Sequence, residues 1–125
     1  MIANNNDLHQ SPSQFLYLTT KGRKTTRHHT IEIWFVEYNK RYYVLSEHQK
    51  ASDRVQNIIV ETNVTFSLNN KIYKGYARLI DKSKEPILAN AVSALMLSKY
   101  GWNDGLIVEL TPMRITKNII NNRIF

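Results

Sequence analysis

Thr30-Ile31-Glu32-Ile33-Trp34-Phe35-Val36-Glu37 is the stretch that decides the fold. Successive side chains of a strand point to opposite sides, so Ile31, Ile33 and Phe35 share one face and Glu32, Trp34 and Val36 the other. Apolar residues on both faces predict a strand largely covered on both sides. Tyr38-Asn39-Lys40 reads as a turn, and Arg41 to Ser46 (RYYVLS) pairs back as a hairpin partner. Upstream, Phe15 to Thr20 (FLYLTT) is another apolar, β-type run.

Downstream the period changes. Ala51, Val55, Ile58 and Ile59 recur at i, i+4, i+7 and i+8, one helical face, with Ser52 or Asp53 as N-cap. Alternation returns at Asn63 to Leu68, with Val64, Phe66 and Leu68 inward. Asn69-Asn70 makes the next turn, because Asn tolerates positive φ. Ile72 to Ile80 is a long strand in which Gly75 marks a bulge or a close backbone approach. Pro86 opens a second helix carrying Leu88, Ala91, Val92, Leu95, Met96 and Tyr100, and Gly101 ends it. Leu88, Val92 and Leu95 are expected to be buried. Tyr100 and Trp102 are expected to cover a barrel end. A last strand spans Leu106 to Ile115. The order β-β-β-α-β-β-α-β, joined by hairpin-length turns, predicts a mainly β (α+β) chain. Its six antiparallel strands form a small barrel with two covering helices.

The 125 residues are expected to form one domain (1–125), with a polar lead-in at 1–13 and a tail at 116–125 whose role the sequence does not give. Hydrophobic residues at 42% and charged ones at 22% are ordinary for a globular chain. The absence of cysteine excludes disulfides, zinc–thiolate and iron–sulfur sites, and a cysteine nucleophile. His9, His28, His29 and His48 lack ligand spacing, so no metal is expected. No apolar run approaches the ~20 residues of a membrane span. The N-terminus lacks a basic-then-apolar signal pattern, which leads to the expectation of a cytoplasmic protein with no transmembrane segment.

The formal charge is +7 and the isoelectric point near 9.7. Four of the cations, Lys21, Arg23, Lys24 and Arg27, lie in one acid-free loop directly before His28 and His29. A nucleic-acid binder more often spreads its basic residues in a stripe with aromatics between them, so nucleic acid is a weaker expectation than an anionic small molecule. Gly22 lets the main chain come close to a phosphate, and Arg23 offers a planar bidentate fork. Lys21, Lys24 and Arg27 add point charge, and the Thr25 hydroxyl can donate. The plain alternative is a solvated basic loop.

Leu18-Thr19-Thr20-Lys21-Gly22-Arg23-Lys24-Thr25, His29 to Val36, and Asp53 with Asn57 together resemble one family. It is the deazaflavin-dependent nitroreductase and F420-dependent quinone reductase group of the flavin-binding split β-barrel, pyridoxamine-phosphate-oxidase-like superfamily. The sequence departs from the family pattern at Thr26, His28, Arg54 and Gln56. The resemblance implies an FMN or coenzyme F420 (deazaflavin) cofactor, with hydride passing from the reduced cofactor to a quinone, nitro compound or similar small-molecule acceptor. It also implies a site made of Lys21, Gly22, Arg23, Lys24, Thr25 and Arg27 for the phosphate, and of His29, Thr30, Ile31, Ser46 and Asn57 nearer the ring. No catalytic acid–base residue is assigned, since hydride transfer belongs to the cofactor. The reading from another class is a non-catalytic binding module. It would be a cofactor carrier or sensor, or an oligonucleotide-binding barrel using the basic loop and exposed Tyr42 and Tyr43. Trp34, Val36, Tyr42 and Val44 are expected to form an apolar patch, which with the resemblance leads to an expected homodimer.

Overall fold

The computed structural model describes residues 14–22, 27–46 and 53–113. The expectations for the lead-in, Arg23 to Thr26, Ala51, the Ser52 cap and residues 114–125 lie outside the described residues. Among the described residues eight elements follow in the expected order: β1 (Phe15–Lys21), β2 (His28–Tyr38), β3 (Arg41–Ser46), α1 (Asp53–Val60), β4 (Asn63–Leu68), β5 (Lys71–Leu79), α2 (Pro86–Tyr100) and β6 (Leu106–Pro112). The strands close into a barrel in the order β1-β2-β3-β6-β5-β4, every neighbour antiparallel.

Both two-residue hairpins place their central residues at positive φ. Asn39 and Lys40 lie at 52° and 64°, and Asn69 and Asn70 at the same values. That is the turn whose twist matches its flanking strands. Gly75 is a close approach: a Cβ there would collide with the Thr111 carbonyl oxygen of β6. Helix α2 starts with Pro86 just after Glu85 and ends at Gly101, which takes φ 74°.

Two apolar clusters hold the fold. Leu16, Leu18, Ile33, Phe35, Phe66 and Leu110 are among those filling the barrel interior, and Ile58 of α1 joins them. Outside the barrel, Val36, Tyr43, Leu45 and Ile107 are covered by Ala89, Val92 and Met96 of α2. The two apolar faces of β2 thus meet two different cores.

Several expectations are corrected here. Val36, Tyr42 and Val44 are buried within this chain, Tyr42 and Val44 in the barrel and Val36 beneath α2. Trp34 alone reaches the surface, at 36% exposure, and stacks on Tyr100 with ring centroids 4.4 Å apart. The four therefore form no joint patch. Tyr42 and Tyr43 are likewise buried, so neither is an exposed platform for bases. Burial pushes the Tyr42 phenol up to about 12, helped by its hydrogen bond with Tyr73. Leu95 is 37% exposed rather than core, Leu88 and Leu68 are half-buried, and Ile59 faces outward.

Tyr100 does more than cover the barrel. Its hydroxyl accepts from Phe35 N at 3.0 Å and lies 2.6 Å from Gln14 O and 2.7 Å from Phe35 O, donating to one of them. It bridges the β1–β2 ladder just beyond its last strand pair, Phe15 with Trp34.

A buried acid ties α2 to the barrel. Glu109, on the outer side of β6, accepts from Tyr43 Oη at 2.8 Å and from Arg78 Nε at 3.0 Å. Arg78 also bridges Glu85, the residue before α2, at 2.6 Å. Burial alone would raise the Glu109 carboxyl, but the Arg78 and Tyr43 bonds outweigh it and hold it below the usual range. Its charged form therefore stabilises the fold above the unfolded pKa, and that contribution is lost as pH falls through the lower folded pKa. Arg78→Met leaves Glu109 buried without its cation and is expected to cost about 2 kcal/mol at pH 7. This is below the ~3–5 kcal/mol of a fully buried pair, because Arg78 is half exposed. With burial then dominant, acidification to pH 5 should narrow the gap to wild type. Thermal melts at both pH values check this, and a gap that stays constant contradicts it.

Candidate functional site

The β2–β3 ladder is short. It runs only from Phe35 opposite Val44 to Tyr38 opposite Arg41, whereas β1 pairs with β2 from Phe15–Trp34 to Lys21–His28. From His28 to Trp34, β2 therefore has no β3 partner among the described residues. The last residue of β3, Ser46, pairs instead with Leu106 of β6. The sheet is split on this side. Helix α1, which follows β3 after the undescribed 47–52, lies against β1 and β5 and sends Ile58 into the interior.

The basic loop joins β1 to β2 at the same end. Its stem is closed by Gly22 N donating to Arg27 O at 2.7 Å. Gly22 is buried, while Lys21 and Arg27 are exposed. Arg23, Lys24 and Thr25 lie outside the described residues.

Strand alternation sorts the remaining candidates between two walls. His29 and Ile31 belong to the row that continues inward to Ile33 and Phe35. Ile31 packs on the barrel core and His29 is exposed. Across the ladder His29 pairs with Thr20, a buried hydroxyl residue of the inward row of β1. Ser46 continues the inward row of Tyr42 and Val44 and is buried. Asn57 is buried on α1, beside Ile58, so the helix turns its amide toward the protein. Thr30 and Lys21 belong to the outer wall instead. The Thr30 hydroxyl lies 2.7 Å from that of Thr19.

On that outer wall Thr19, Lys21, His28, Glu61, Asn63 and Thr65 border a groove of about 230 Å³. Glu61 accepts from Asn63 N at 3.1 Å and Nδ2 at 2.8 Å, bonds that hold its carboxyl below the usual range. Of this groove's lining only Lys21 is a site candidate in sequence, and Thr20 enters there only as part of the Leu18 to Thr25 stretch. The pairing of Lys21 with His28 and of Thr20 with His29 is the signal that would have found them, and it needs the hairpin register.

Chemically, this end of the barrel offers cations at a loop stem, buried hydroxyl and amide groups on an inner row, and an apolar interior behind them. That set fits a ligand with an anionic chain and a flat, mostly apolar ring bearing polar edges. Among the described residues no three His, Cys, Asp or Glu side chains are grouped to hold a metal ion. No helix among them is long and apolar enough to cross a membrane.

Comparison with known proteins identifies the family and the fold. The family model of F420H(2)-dependent quinone reductase matches residues 4–104. No curated protein sequence matches the chain significantly. Among solved structures, the heme storage protein HutZ of Vibrio cholerae superposes with a TM-score of 0.66 at 19% identity, over 85% of each chain. An F420-H2 dependent reductase (FDR-A) gives 0.57 at 17% identity, over 83% of this chain and 99% of its own. A FAD-binding protein from Mesorhizobium loti gives 0.63 at 9% identity, over 82% and 83%. At these identities the structural likeness concerns the fold.

Proposed function

The chain belongs to the F420H2-dependent quinone reductase family, and from that premise we propose that it binds reduced coenzyme F420 and reduces a quinone or a related acceptor. The observation that carries the reading is the split beside β2. There the loop stem Lys21–Arg27 and the paired, inward-row Thr20 and His29 lie at one barrel end, and Ser46 is buried at the end of β3. When bound, the deazaflavin supplies a hydride. The chain's own residues bind and orient it. Lys21, Arg23, Lys24 and Arg27 would hold the phosphate, with Gly22 admitting it close to the backbone and Thr25 donating a hydrogen bond. His29, Ile31, Ser46 and Asn57 would border the ring, and Thr30 would support the hairpin from its outer wall. Helix α1 would keep water off that side.

FMN is the second cofactor to test, because it presents a phosphate to the same loop. Absorbance titration with F420 and with FMN, followed by anaerobic oxidation of reduced F420 by a water-soluble quinone, tests the reading. No spectral change with either cofactor would overturn it and favour a module with some other ligand.

We also propose a homodimer, now on a different surface from the patch expected in sequence. The outer face of β1 and β2 exposes Phe15, Tyr17 and Trp34 at one end and Lys21 and His28 at the other, with Glu32 bonded to Tyr17 at 3.0 Å. A two-fold arrangement sets Glu32 of one copy toward Lys21 and His28 of the other, which offsets part of the like-charge repulsion of a +7 chain. Glu32→Lys is therefore expected to dissociate the dimer in sedimentation velocity at micromolar protein. A wild-type chain sedimenting at 14.6 kDa overturns the proposal.

A further inference from the structure

A quinone gains two electrons and two protons on becoming a hydroquinone. A hydride brings both electrons and one proton, and leaves a hydroquinone anion. The second proton must come from an acid within reach of the reacting oxygen. Histidine is the side chain that ordinarily changes charge between about pH 5 and 8.

The barrel offers few acids of any kind. Among the described residues of the inward rows only His29, Tyr42 and Tyr73 carry an ionisable side chain. Tyr42 is buried and hydrogen-bonded with Tyr73, so these two phenols are engaged with each other in the interior. His29 is exposed, on the part of β2 that β3 does not cover. It follows the loop stem directly and stands opposite Thr20. Among the described residues no hydrogen bond or ion pair engages its ring. Glu61, by contrast, belongs to the outer wall and is tied to Asn63.

We propose that the His29 imidazolium gives its ring N–H proton to the quinone oxygen when the hydride is transferred. The proposal rests on the quinone reading and deepens it by assigning that reaction its acid. The quinone gains the hydride from the reduced cofactor and the proton from His29, and a hydroquinone O–H bond forms. The oxidised cofactor sheds a proton to water, and water recharges His29, so protons and electrons balance.

The surroundings favour that transfer. Among the described residues β1 is the one strand paired with β2 at this level, and it places the neutral Thr20 opposite. Residues 55–60 of α1 carry no ionisable side chain. Lys21 and Arg27 at the loop stem are exposed cations that attract the hydroquinone anion to the same end, while His28 and Glu61 border the outer groove. No described carboxylate on the inward rows competes for the proton.

Oxidation of reduced F420 by a series of water-soluble quinones tests the proposal. His29→Gln is expected to lower kcat at least tenfold at pH 6. That lies below the ~10²–10⁴-fold of a positioned acid, because water reaches this open end and substitutes in part. Wild-type kcat should fall from pH 6 to pH 8, and that of the variant should stay flat. The loss should grow with the basicity of the hydroquinone anion, a trend that a merely structural role does not produce. Added imidazole should restore the rate of His29→Ala. Affinity for F420, read by fluorescence titration, should stay close to wild type in both variants. His28→Gln, on the opposite face of the strand, should keep the wild-type pH profile. A wild-type rate or pH profile in His29→Gln overturns the proposal and leaves the quinone reading intact. A rate loss matched by weaker F420 binding also overturns it, and makes His29 a binding residue only. The same loss in His28→Gln assigns the effect to the charge of the loop and overturns it too. A wild type that binds F420 without reducing any quinone overturns the quinone reading together with this proposal.

Discussion

Phe66→Ala is expected to lower stability by about 3–5 kcal/mol, a large share of the ~5–15 kcal/mol that holds a domain folded. Phe66 is fully buried in the barrel. Its ring meets Tyr42 edge-on at 5.5 Å and stacks with Tyr73 at 5.3 Å, so truncation removes two aromatic contacts as well as apolar area. The gap cannot close easily. Gly75 sits across the β4–β5 ladder next to Phe66 and is itself held against the Thr111 carbonyl, which stops β5 from moving inward. Urea denaturation is the measurement, with the midpoint expected to fall and its slope to stay constant. A midpoint that scarcely moves would show that β4 faces the other way.

Arg23→Ala combined with Lys24→Ala is expected to weaken F420 binding at least tenfold, a change of ~1.4 kcal/mol. Two charge-assisted contacts at ~1.5–3 kcal/mol each make that a lower bound. The loop stem survives both substitutions, because it is closed by the backbone bond from Gly22 N to Arg27 O. A loss of affinity would thus report on the lost side chains, and the residual binding should depend less on salt. Equal affinity in a fluorescence titration would remove the loop from the site. A loss of single-stranded nucleic acid binding in its place would revive the oligonucleotide reading, although Tyr42 and Tyr43 are buried.

Local signals made much of the fold legible. Alternation in Thr30 to Glu37, the Asn39-Lys40 and Asn69-Asn70 turns, Pro86 and Gly101 each act within a few residues, so the order of elements followed from sequence. The roll of the helices did not. In α2 almost every position from Pro86 to Leu97 is apolar, so Asn90 was the one exposed polar mark of the solvent side in that stretch; packing on β2, β3 and β6 buried Ala89 and left Leu95 out. In α1 the docked face centres on Ile58 and takes in Asn57 rather than Ile59, because the helix must close a barrel end as well as hide its own stripe.

The same limit applies to the site. The sequence by itself concentrated the cations of Lys21 to Arg27 beside a two-faced strand, because charge and alternation are written in adjacent residues. It also fixed the type of every strand. Only the tertiary structure decided that Val36 belongs under α2 while Tyr42 and Val44 belong inside the barrel. A strand that is apolar on both faces gives no sign of which face meets which core. The tertiary structure also decided that Thr20 pairs with His29 on the inward row, while Thr30 and Lys21 stand on the outer wall. Pairing across the sheet joins residues far apart in the chain. The register that joins them is set by closure of the barrel, to which every strand contributes at once.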